Sequence, residues 1–464
     1  MSYNAKGNRP FEWAGKSQHT HVINDPSVQE LMKRCRFPSN NEEATNDVRD
    51  HSFDILEGGN RTLSTIITVD GGYTEVVVRK NYPSSKVAFF QFGGLEFSLQ
   101  DLDDLGGTPF IHPEQMEKFK NLERFKLAIP TKATSIDSMS MVDSIRTPVI
   151  DFFNQKRDGK TYMETLKWLV FHDFKRKSID QDESLDEIIF GSLPNRNEST
   201  YKNVTVNKSQ VDKEGYFTVD NERFSLVDLF RFHEVVDEEL GASGILGYLT
   251  NVVEHMIIVH CIKEIATKKP SFLKRFLFIK DGPLGFFGQT AKLHKDMREL
   301  CNLYIKEHSL KLVGIEKSGS FVEHADQITV GEDACLKKGQ ALPLFNDYIY
   351  KHILPGPSTE AELAKMAPYA STSYYSGKLI YRSKSDRTWV LTVPIESSEE
   401  IKSLNKNSFA NLDEILNAVD RLKCDMYENS IVPIALVNQL VSLANHPSSK
   451  MLERFAVQSM GEST

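Results

Sequence analysis

The chain has 464 residues, of which 40% are hydrophobic, 10% aromatic and 26% charged. These proportions are typical of a folded globular protein and exclude a largely disordered, collagen-like or coiled-coil chain. The 56 lysines and arginines are outnumbered by 64 aspartates and glutamates, which gives a net charge of −8. Nucleic-acid binding is therefore expected only in local basic patches.

The apolar segments and the cysteines indicate where in the cell the protein is found. No uninterrupted apolar run reaches the roughly 18 residues that a membrane span needs. The N-terminal residues have no apolar segment typical of a secretory signal. The five cysteines are dispersed without a C-x-x-C pair, which favours reduced thiols. We expect a cytoplasmic protein without a membrane partner.

The first 60 residues are polar, and we expect them to form a peripheral N-terminal arm. One helix is predicted there, with Asp25 as its cap and Pro26 in its first turn. Residues 61–464 are predicted to form one large domain. It opens with two β-branched runs, "STIITVD" and "YTEVVVRK", which are separated only by Gly71 and Gly72. That spacing predicts a tight hairpin, with Asp70 at the end of its first strand.

The middle of the chain predicts a change of architecture. Residues from about 95 to 241 contain helical stretches around a polar break, which indicates a large, mainly helical insertion. Residues 241–268 are predicted to form one long buried helix. A strand at 275–280, a helix and the strand "LKLVGIE" follow, as in a parallel α/β unit. A C-terminal hairpin that turns at "SKSD" and two helices complete an α/β fold, with a mixed sheet flanked by helices.

Two predicted strands end in Asp-Gly, at Asp70 and Asp281. Two carboxylates held by neighbouring strands can share a divalent cation. Phosphodiester cleavage uses such pairs, because metal ions stabilise the attacking and leaving oxygens. Asp-Gly after a strand is also a common turn, but two such ends after apolar strands favour a metal site.

Glu254 lies among valine, methionine and isoleucine in the predicted long helix. A carboxylate in such a setting is costly unless it meets a cation or hydrogen-bond donors. Glu264 is the alternative, although its surroundings are those of a solvated helix end. His255, His260 and His294 match no compact zinc signature, so we expect them to be structural.

Two basic features could contact phosphate. Lys317 directly follows a strand and precedes "SGS", a setting that suits a phosphate contact but also the start of a helix. The stretch from Lys268 to Lys280 is basic without an acidic residue, and within it Lys274 and Arg275 are candidate DNA contacts. Such a patch could equally bind an acidic partner or only increase solubility.

Five blocks of the sequence, taken in order, resemble the NurA nuclease family. They are "VDGGYTEVVV", "VVEHMIIVHCI", "FLFIKDGPLGFFG", "LVGIEKSGSFVEHA" and "IVPIALVNQLVSLA", spread between about Arg61 and Phe455. The resemblance implies an RNase H-like core and a nuclease that acts on DNA ends with manganese, or with magnesium as the alternative. It also implies a homodimer and a HerA-type hexameric translocase as partner, in end resection and repair or in defence against phage.

The same resemblance implies a set of site residues. Asp70, Glu254 and Asp281 correspond to the acidic metal ligands, and Tyr427 to a further catalytic tyrosine. The family's histidine falls on Asn438, which is a departure, and His446 is the alternative for that role. Exposed apolar residues of the arm, Leu31, Met32 and Phe37, are expected to contact the translocase.

Two other functions compete with the nuclease. A phosphotransferase of the actin-like or sugar-kinase class also opens with an Asp-Gly-Gly hairpin, whose backbone N–H groups cradle phosphates. It would need a second glycine-rich loop, for which "PGPST" is the candidate. A non-catalytic DNA clamp or HerA adaptor is favoured by the missing histidine and the acidic net charge. The nuclease is the preferred interpretation.

Overall fold

The computed structural model describes residues 16–35, 41–56, 58, 62–79, 81–100, 122–176, 183–194, 202–331, 334–357, 359–424, 430–443 and 448–459. Within these ranges, nine strands form one mixed sheet and four more form two small hairpins. In chain order the strands are β1 (Phe53–Asp54), β2 (Thr65–Val77), β3 (Lys86–Ser98), β4 (Leu122–Lys132), β5 (Glu187–Ser192), β6 (Lys202–Asn207), β7 (Tyr216–Val219), β8 (Glu222–Ser225), β9 (Phe276–Asp281), β10 (Lys311–Glu316), β11 (Gln340–Pro343), β12 (Ser376–Arg382) and β13 (Thr388–Pro394).

Helices cover both faces of this sheet. In chain order they are α1 (Lys16–Ile23), α2 (Pro26–Arg34), α3 (Asn41–His51), α4 (Met141–Asn154), α5 (Tyr162–Val170), α6 (Leu246–Lys268), α7 (His294–His308), α8 (Ser320–Thr329), α9 (Asn346–His352), α10 (Glu360–Leu363), α11 (Leu412–Arg421), α12 (Val432–Val441) and α13 (Ser448–Ser459).

The large sheet has the order β1-β11-β12-β13-β10-β9-β2-β3-β4. Its three central strands, β2, β9 and β10, are parallel, and the remaining neighbours are antiparallel. The predicted α/β fold with a mixed sheet is therefore confirmed, as is the C-terminal hairpin β12–β13. The carboxyl ends of β9 and β10 lie level with the middle of β2, and parallel α/β sheets commonly bind ligands at the carboxyl ends of their strands.

Alternating residues of the central strands pack on opposite faces. Ile67 of β2 and Phe278 of β9 pack with α6 in one apolar cluster. Ile66 and Ile279, their neighbours in sequence, pack with α11 and α12 in another. This period of two assigns every residue of β2 and β9 to a defined face.

The predicted long helix is confirmed as α6, preceded by a short 3₁₀ turn (Ser243–Ile245). The segment Ser243–Lys268 is long and apolar enough to cross a membrane by length and composition, but 72% of its apolar window is buried inside the protein. Packing against β2, β3 and α5 accounts for that composition.

The predicted hairpin turn at Gly71 and Gly72 is wrong. β2 runs through both glycines without interruption and pairs with β3 there, and the chain turns only after Val77. A Cβ at Gly71 would lie 2.7 Å from Phe92 Cδ1, and one at Gly72 would lie 2.6 Å from the Val441 carbonyl oxygen. The glycines are therefore needed for the close approach of neighbouring atoms rather than for a turn.

The predicted mainly helical insertion at about 95–241 is wrong in its secondary structure. Its described part contains α4 and α5, but also β4 at one edge of the large sheet and the small hairpins β5–β6 and β7–β8. The polar break hides the β-branched run from Val204 to Val206, whose Val206 pairs with Ile188 across β5–β6. The apolar stretch after Ser225, "LVDLFRFHE", forms only short 3₁₀ turns.

The N-terminal residues combine an exposed segment with an edge strand. α2 begins at Pro26, and the Asp25 carboxylate accepts hydrogen bonds from the backbone N–H groups of Ser27 and Val28, as predicted. No residue of α2 is buried. β1 joins the large sheet by pairing with β11.

Candidate active site

The sheet register brings Asp70 and Asp281 together. The parallel pairing of β2 with β9 ends at Val69 opposite Lys280, so Asp70 and Asp281 occupy the next position of the two strands. Neighbouring strands lie about 4.8 Å apart. Strand alternation directs both aspartates to the face that carries α11 and α12. The predicted proximity of the two strand-end aspartates is thus present, although Asp70 lies in the middle of β2 rather than at its end.

Glu254 reaches the same place from the opposite face. It lies on α6 with only 5% of its surface exposed, and its Oε1 atom would be 3.1 Å from a Cβ at Gly71. Because Gly71 has no side chain, the Glu254 carboxylate lies against the backbone of β2, close enough to Asp70 to raise its pKa. The structure therefore collects Asp70, Glu254 and Asp281 into one group, which we call the acidic cluster.

The electrostatics of the acidic cluster are unfavourable for Asp70. Burial raises the pKa of its carboxyl, and the negative charges of Asp281 and Glu254 raise it further, to about 8. The positive charge of Lys317 and the backbone N–H of Gly71, 2.8 Å from Oδ1, only partly offset these effects. Asp70 is thus a carboxylate that lacks a sufficient positive partner.

Glu254 has a positive partner in Lys280. The Lys280 Nζ atom is 2.7 Å from Glu254 Oε2 and donates a second hydrogen bond to the backbone carbonyl of Asp281 at 2.9 Å. Lys280 is 2% exposed. Burial nevertheless keeps the pKa of Glu254 above its ordinary value, because the attraction of Lys280 offsets the loss of solvation only in part.

Asp281 has its own partner in Lys317. The Lys317 Nζ atom lies 2.6 Å from Asp281 Oδ2, and the two side chains are 27% and 18% exposed. Lys317 follows β10 directly, in the short connection that leads to α8. Lys317 therefore precedes a helix, and its ammonium group also lies beside the acidic cluster, where a phosphate could be bound.

The segment after Asp281 holds this end of β9 in place. Gly282 adopts a φ of 90°, a conformation that favours glycine, and its N–H donates to the Ile315 carbonyl at 2.8 Å. The N–H of Leu284 donates to Thr392 Oγ1 at 3.0 Å. Contacts with β10 and with β13 thus fix the "DGPLG" segment beside the acidic cluster.

The three histidines have structural contacts, as expected. His255 is fully buried against Phe286, with ring centroids 4.2 Å apart, and burial holds its pKa well below the ordinary value. His260 Nδ1 lies 2.7 Å from Thr165 Oγ1. His294 Nδ1 lies 2.7 Å from the carbonyl oxygen of its neighbour three residues earlier.

Glu264 and the basic patch lie away from the acidic cluster. Glu264 forms an ion pair with Lys160 near the other end of α6. Lys274 and Arg275 precede the first residue of β9, whereas Asp281 is its last, which separates them by about 17 Å of strand. Lys280, expected as part of this patch, is instead buried against Glu254.

The C-terminal candidates are only partly described. Asn438 lies on α12 among exposed residues, and within the described ranges no hydrogen bond or ion pair joins its side chain to the acidic cluster. Tyr427 and His446 lie outside the described residues. The roles implied for these three positions stay predictions.

The carboxylates of the cluster fit a divalent cation in chemistry, but not in their present arrangement. Carboxylate oxygens are the ligands that Mg²⁺ and Mn²⁺ prefer, and burial beside two further carboxyl groups raises the pKa of Asp70. Among the described residues, however, no three His, Cys, Asp or Glu side chains are arranged to hold a metal ion. In this arrangement Lys280 and Lys317 pair with two of the three carboxylates, those of Glu254 and Asp281.

Lys280 is the site residue that the sequence interpretation missed. The signal was the alternation of β9, in which Phe276, Phe278 and Lys280 share the face that packs against α6. A lysine on that face needs a buried anion, and Glu254 was the one carboxylate already singled out in the middle of the long helix. The two unusual residues explain each other.

No protein-family model matches the chain, and no curated protein matches it. Among solved structures, the chain is similar to NurA nucleases. The NurA nuclease from Sulfolobus solfataricus is 11% identical, and the match covers 97% of this chain and 100% of that chain, with a TM-score of 0.33. A NurA structure with manganese is 13% identical over 95% and 97% of the two chains, with a TM-score of 0.28. A NurA structure bound to dAMP and manganese is 13% identical over 95% and 96%, with a TM-score of 0.28.

Proposed function

We propose that this protein is a metal-dependent DNA nuclease of the NurA type, with the acidic cluster as its cleavage site and an RNase H-like core. The observation that carries the proposal is the state of Asp70. It is buried beside Asp281 and Glu254, with a pKa raised to about 8. A divalent cation, Mn²⁺ or Mg²⁺, would neutralise the negative charge of these carboxylates and could polarise a phosphodiester for attack by water.

The position of each side chain in the site determines the role that we propose for it. Asp70 and Asp281 would hold the cation from one face of the sheet, and Glu254 from the other. Lys317 is partly exposed beside Asp281, so its ammonium group is available to a substrate phosphate. Lys280 is too deeply buried to meet DNA and instead keeps the Glu254 carboxylate in position.

The phosphotransferase alternative loses its main support. It requires a hairpin at Gly71 and Gly72 whose N–H groups cradle phosphates, whereas β2 continues through both glycines and pairs there with β3. The non-catalytic clamp differs from the nuclease in activity rather than in fold. A cleavage assay separates these two.

The test is cleavage of end-labelled linear DNA, single- and double-stranded, in Mn²⁺, in Mg²⁺ and in EDTA. We expect cation-dependent cleavage that Asp70→Asn and Asp281→Asn each reduce at least about a hundredfold, since each removes a charge needed at the reacting centre. Glu264→Gln is the matched control, because its ion pair lies at the far end of α6, and it should cleave normally. A folded wild type that binds DNA without cleaving it would support the clamp instead.

We also propose a homodimer that works with a HerA-type hexameric translocase, in end resection and repair or in defence against phage. A net charge of −8 leaves little affinity for DNA from phosphate contacts alone, and a translocase would supply the strand mechanically. Leu31 and Met32 are 61% and 60% exposed on α2 and are candidates for the partner contact, whereas Phe37 lies outside the described residues. Light scattering after size exclusion, with and without the ATPase, tests this. A monomer that never co-elutes with the ATPase would contradict it.

A further inference from the structure

The two lysines that form ion pairs with the acidic cluster, Lys280 and Lys317, differ in their contacts and exposure. Lys280 is 2% exposed, and its ammonium group contacts both the Glu254 carboxylate and a backbone carbonyl. The Lys317 side chain is 27% exposed, and among the described residues its ammonium group forms an ion pair only with Asp281. Lys280 is therefore fixed by the core, whereas the ammonium group of Lys317 is exposed enough to leave Asp281 for solvent or another anion.

We propose that Lys317 is a tethered counter-ion that competes with the divalent cation for Asp281 and is drawn away by a substrate phosphate. The inference rests on the proposed nuclease function and deepens it. Lys317 would then determine cation affinity and couple cation binding to DNA binding. In this role Lys317 acts through Asp281 and does not itself bind the cation.

The charge balance of the site is the first reason for expecting Lys317 to compete with the cation. The acidic cluster has three carboxylates and is paired with the ammonium groups of Lys280 and Lys317, so one negative charge is left when all five groups are ionised. An approaching divalent cation meets that single charge and is also repelled by the nearer lysine. If Lys317 leaves, the remaining charge becomes two negatives, which matches a divalent cation.

Position gives the second reason. Lys317 follows the last residue of β10 and is separated from α8 by Ser318 and Gly319, the latter with a φ of 102°. The ammonium group stands on a flexible four-carbon stem at the exposed side of the cluster. A phosphate that approaches the cation would meet this ammonium group first and offer it an alternative partner.

The first test measures Mn²⁺ affinity without nucleic acid, by electron paramagnetic resonance of the free ion. Lys317→Met should bind Mn²⁺ about tenfold more tightly than the wild type, a typical size for coupling between two sites. Lys317→Arg keeps the charge and should stay close to the wild type. Lys338→Met removes the same charge from the exposed pair with Asp386 and should leave the affinity unchanged.

The second test adds a deoxynucleoside monophosphate, which carries a phosphate but has no phosphodiester to cleave. It should tighten Mn²⁺ binding in the wild type by a larger factor than in Lys317→Met. Direct contact between cation and phosphate contributes equally to both proteins, so the ratio of the two factors isolates the part due to Lys317. That ratio should be about threefold or more.

The possible results distinguish a failure of the Lys317 proposal from a failure of the proposed nuclease function. If the wild type binds Mn²⁺ and cleaves DNA but Lys317→Met binds Mn²⁺ no more tightly, the competition is refuted and the nuclease stands. Equal coupling factors in the two proteins would refute the link to phosphate. A folded wild type that neither binds Mn²⁺ nor cleaves DNA would refute the proposed function itself. Thermal unfolding in EDTA checks that each variant is folded.

Discussion

The ammonium group of Lys280 lies 2.7 Å from the carboxylate of Glu254, and both side chains are almost completely buried. The next residue, Asp281, points to the opposite face of the sheet and pairs with Lys317. Lys280 and Asp281, two consecutive residues of β9, thus contribute to the acidic cluster from opposite faces of the sheet. This arrangement makes the stability of the core and the charge of the site depend on the same strand.

The buried pair gives the first prediction. Glu254→Gln and Lys280→Met should each lower the free energy of unfolding by about 3–5 kcal/mol, because each leaves one buried charge unpaired. The double variant should lose less than the sum of the two, since it removes both charges. Urea denaturation measures all three. Glu264→Gln, on the same helix but in a more exposed pair, should lose no more than about 1 kcal/mol, and equal losses for Glu254→Gln and Glu264→Gln would contradict the assignment.

The raised pKa of Asp70 gives a second prediction, on stability against pH in EDTA. The folded-state pKa of about 8 exceeds the ordinary value of 3.8, so the folded protein binds the proton more tightly than the unfolded chain. The resulting stability is fully present below about pH 4 and is lost as the pH rises toward 8. The slope from one such group is at most about 1.4 kcal/mol per pH unit. Asp70→Asn should remove this slope and be the more stable protein at pH 8, and parallel curves for the two proteins would rule the prediction out.

Cation binding should depend on pH in the opposite direction, which is a third prediction. A cation needs the ionised Asp70 carboxylate, so protons compete with it below pH 8. The Mn²⁺ affinity should rise by up to about tenfold per pH unit through this range and level off near pH 8. Titrations at a series of pH values measure the effect. An affinity that does not change between pH 6 and 8 would mean that Asp70 is not a ligand.

A fourth prediction concerns Gly71. An added methyl group would lie 2.9 Å from Thr250 Cγ2 and 3.1 Å from Glu254 Oε1, so Gly71→Ala should displace the glutamate and destabilise the fold by about 1–3 kcal/mol. Cleavage should fall as well. Gly94→Ala on neighbouring β3 is the control, because its methyl group would make only an ordinary 3.6 Å contact with Ile257. If the two variants behave alike, the close approach at Gly71 has no functional role.

Much of the site could be predicted from the sequence because its residues conflict with their surroundings. Asp70 and Asp281 interrupt apolar strands, and Glu254 interrupts an apolar helix, so each needs a compensating partner that local structure cannot provide. The strands β9 and β10, the long helix α6 and the hairpin β12–β13 were predictable for a related reason. Their hydrophobic patterns are long, and the burial of one face enforces them.

The tertiary structure alone decided which charges meet. The register of β2 with β9 sets Asp70 beside Asp281, and register depends on pairing between strands that are about 200 residues apart in the sequence. The same pairing moved Lys280 from an apparent basic patch into the core and turned Gly71 and Gly72 from an expected turn into points of close contact. A glycine pair has the same local signature in both settings. Only the neighbouring helix and strands, which approach to within van der Waals distance, determine its role.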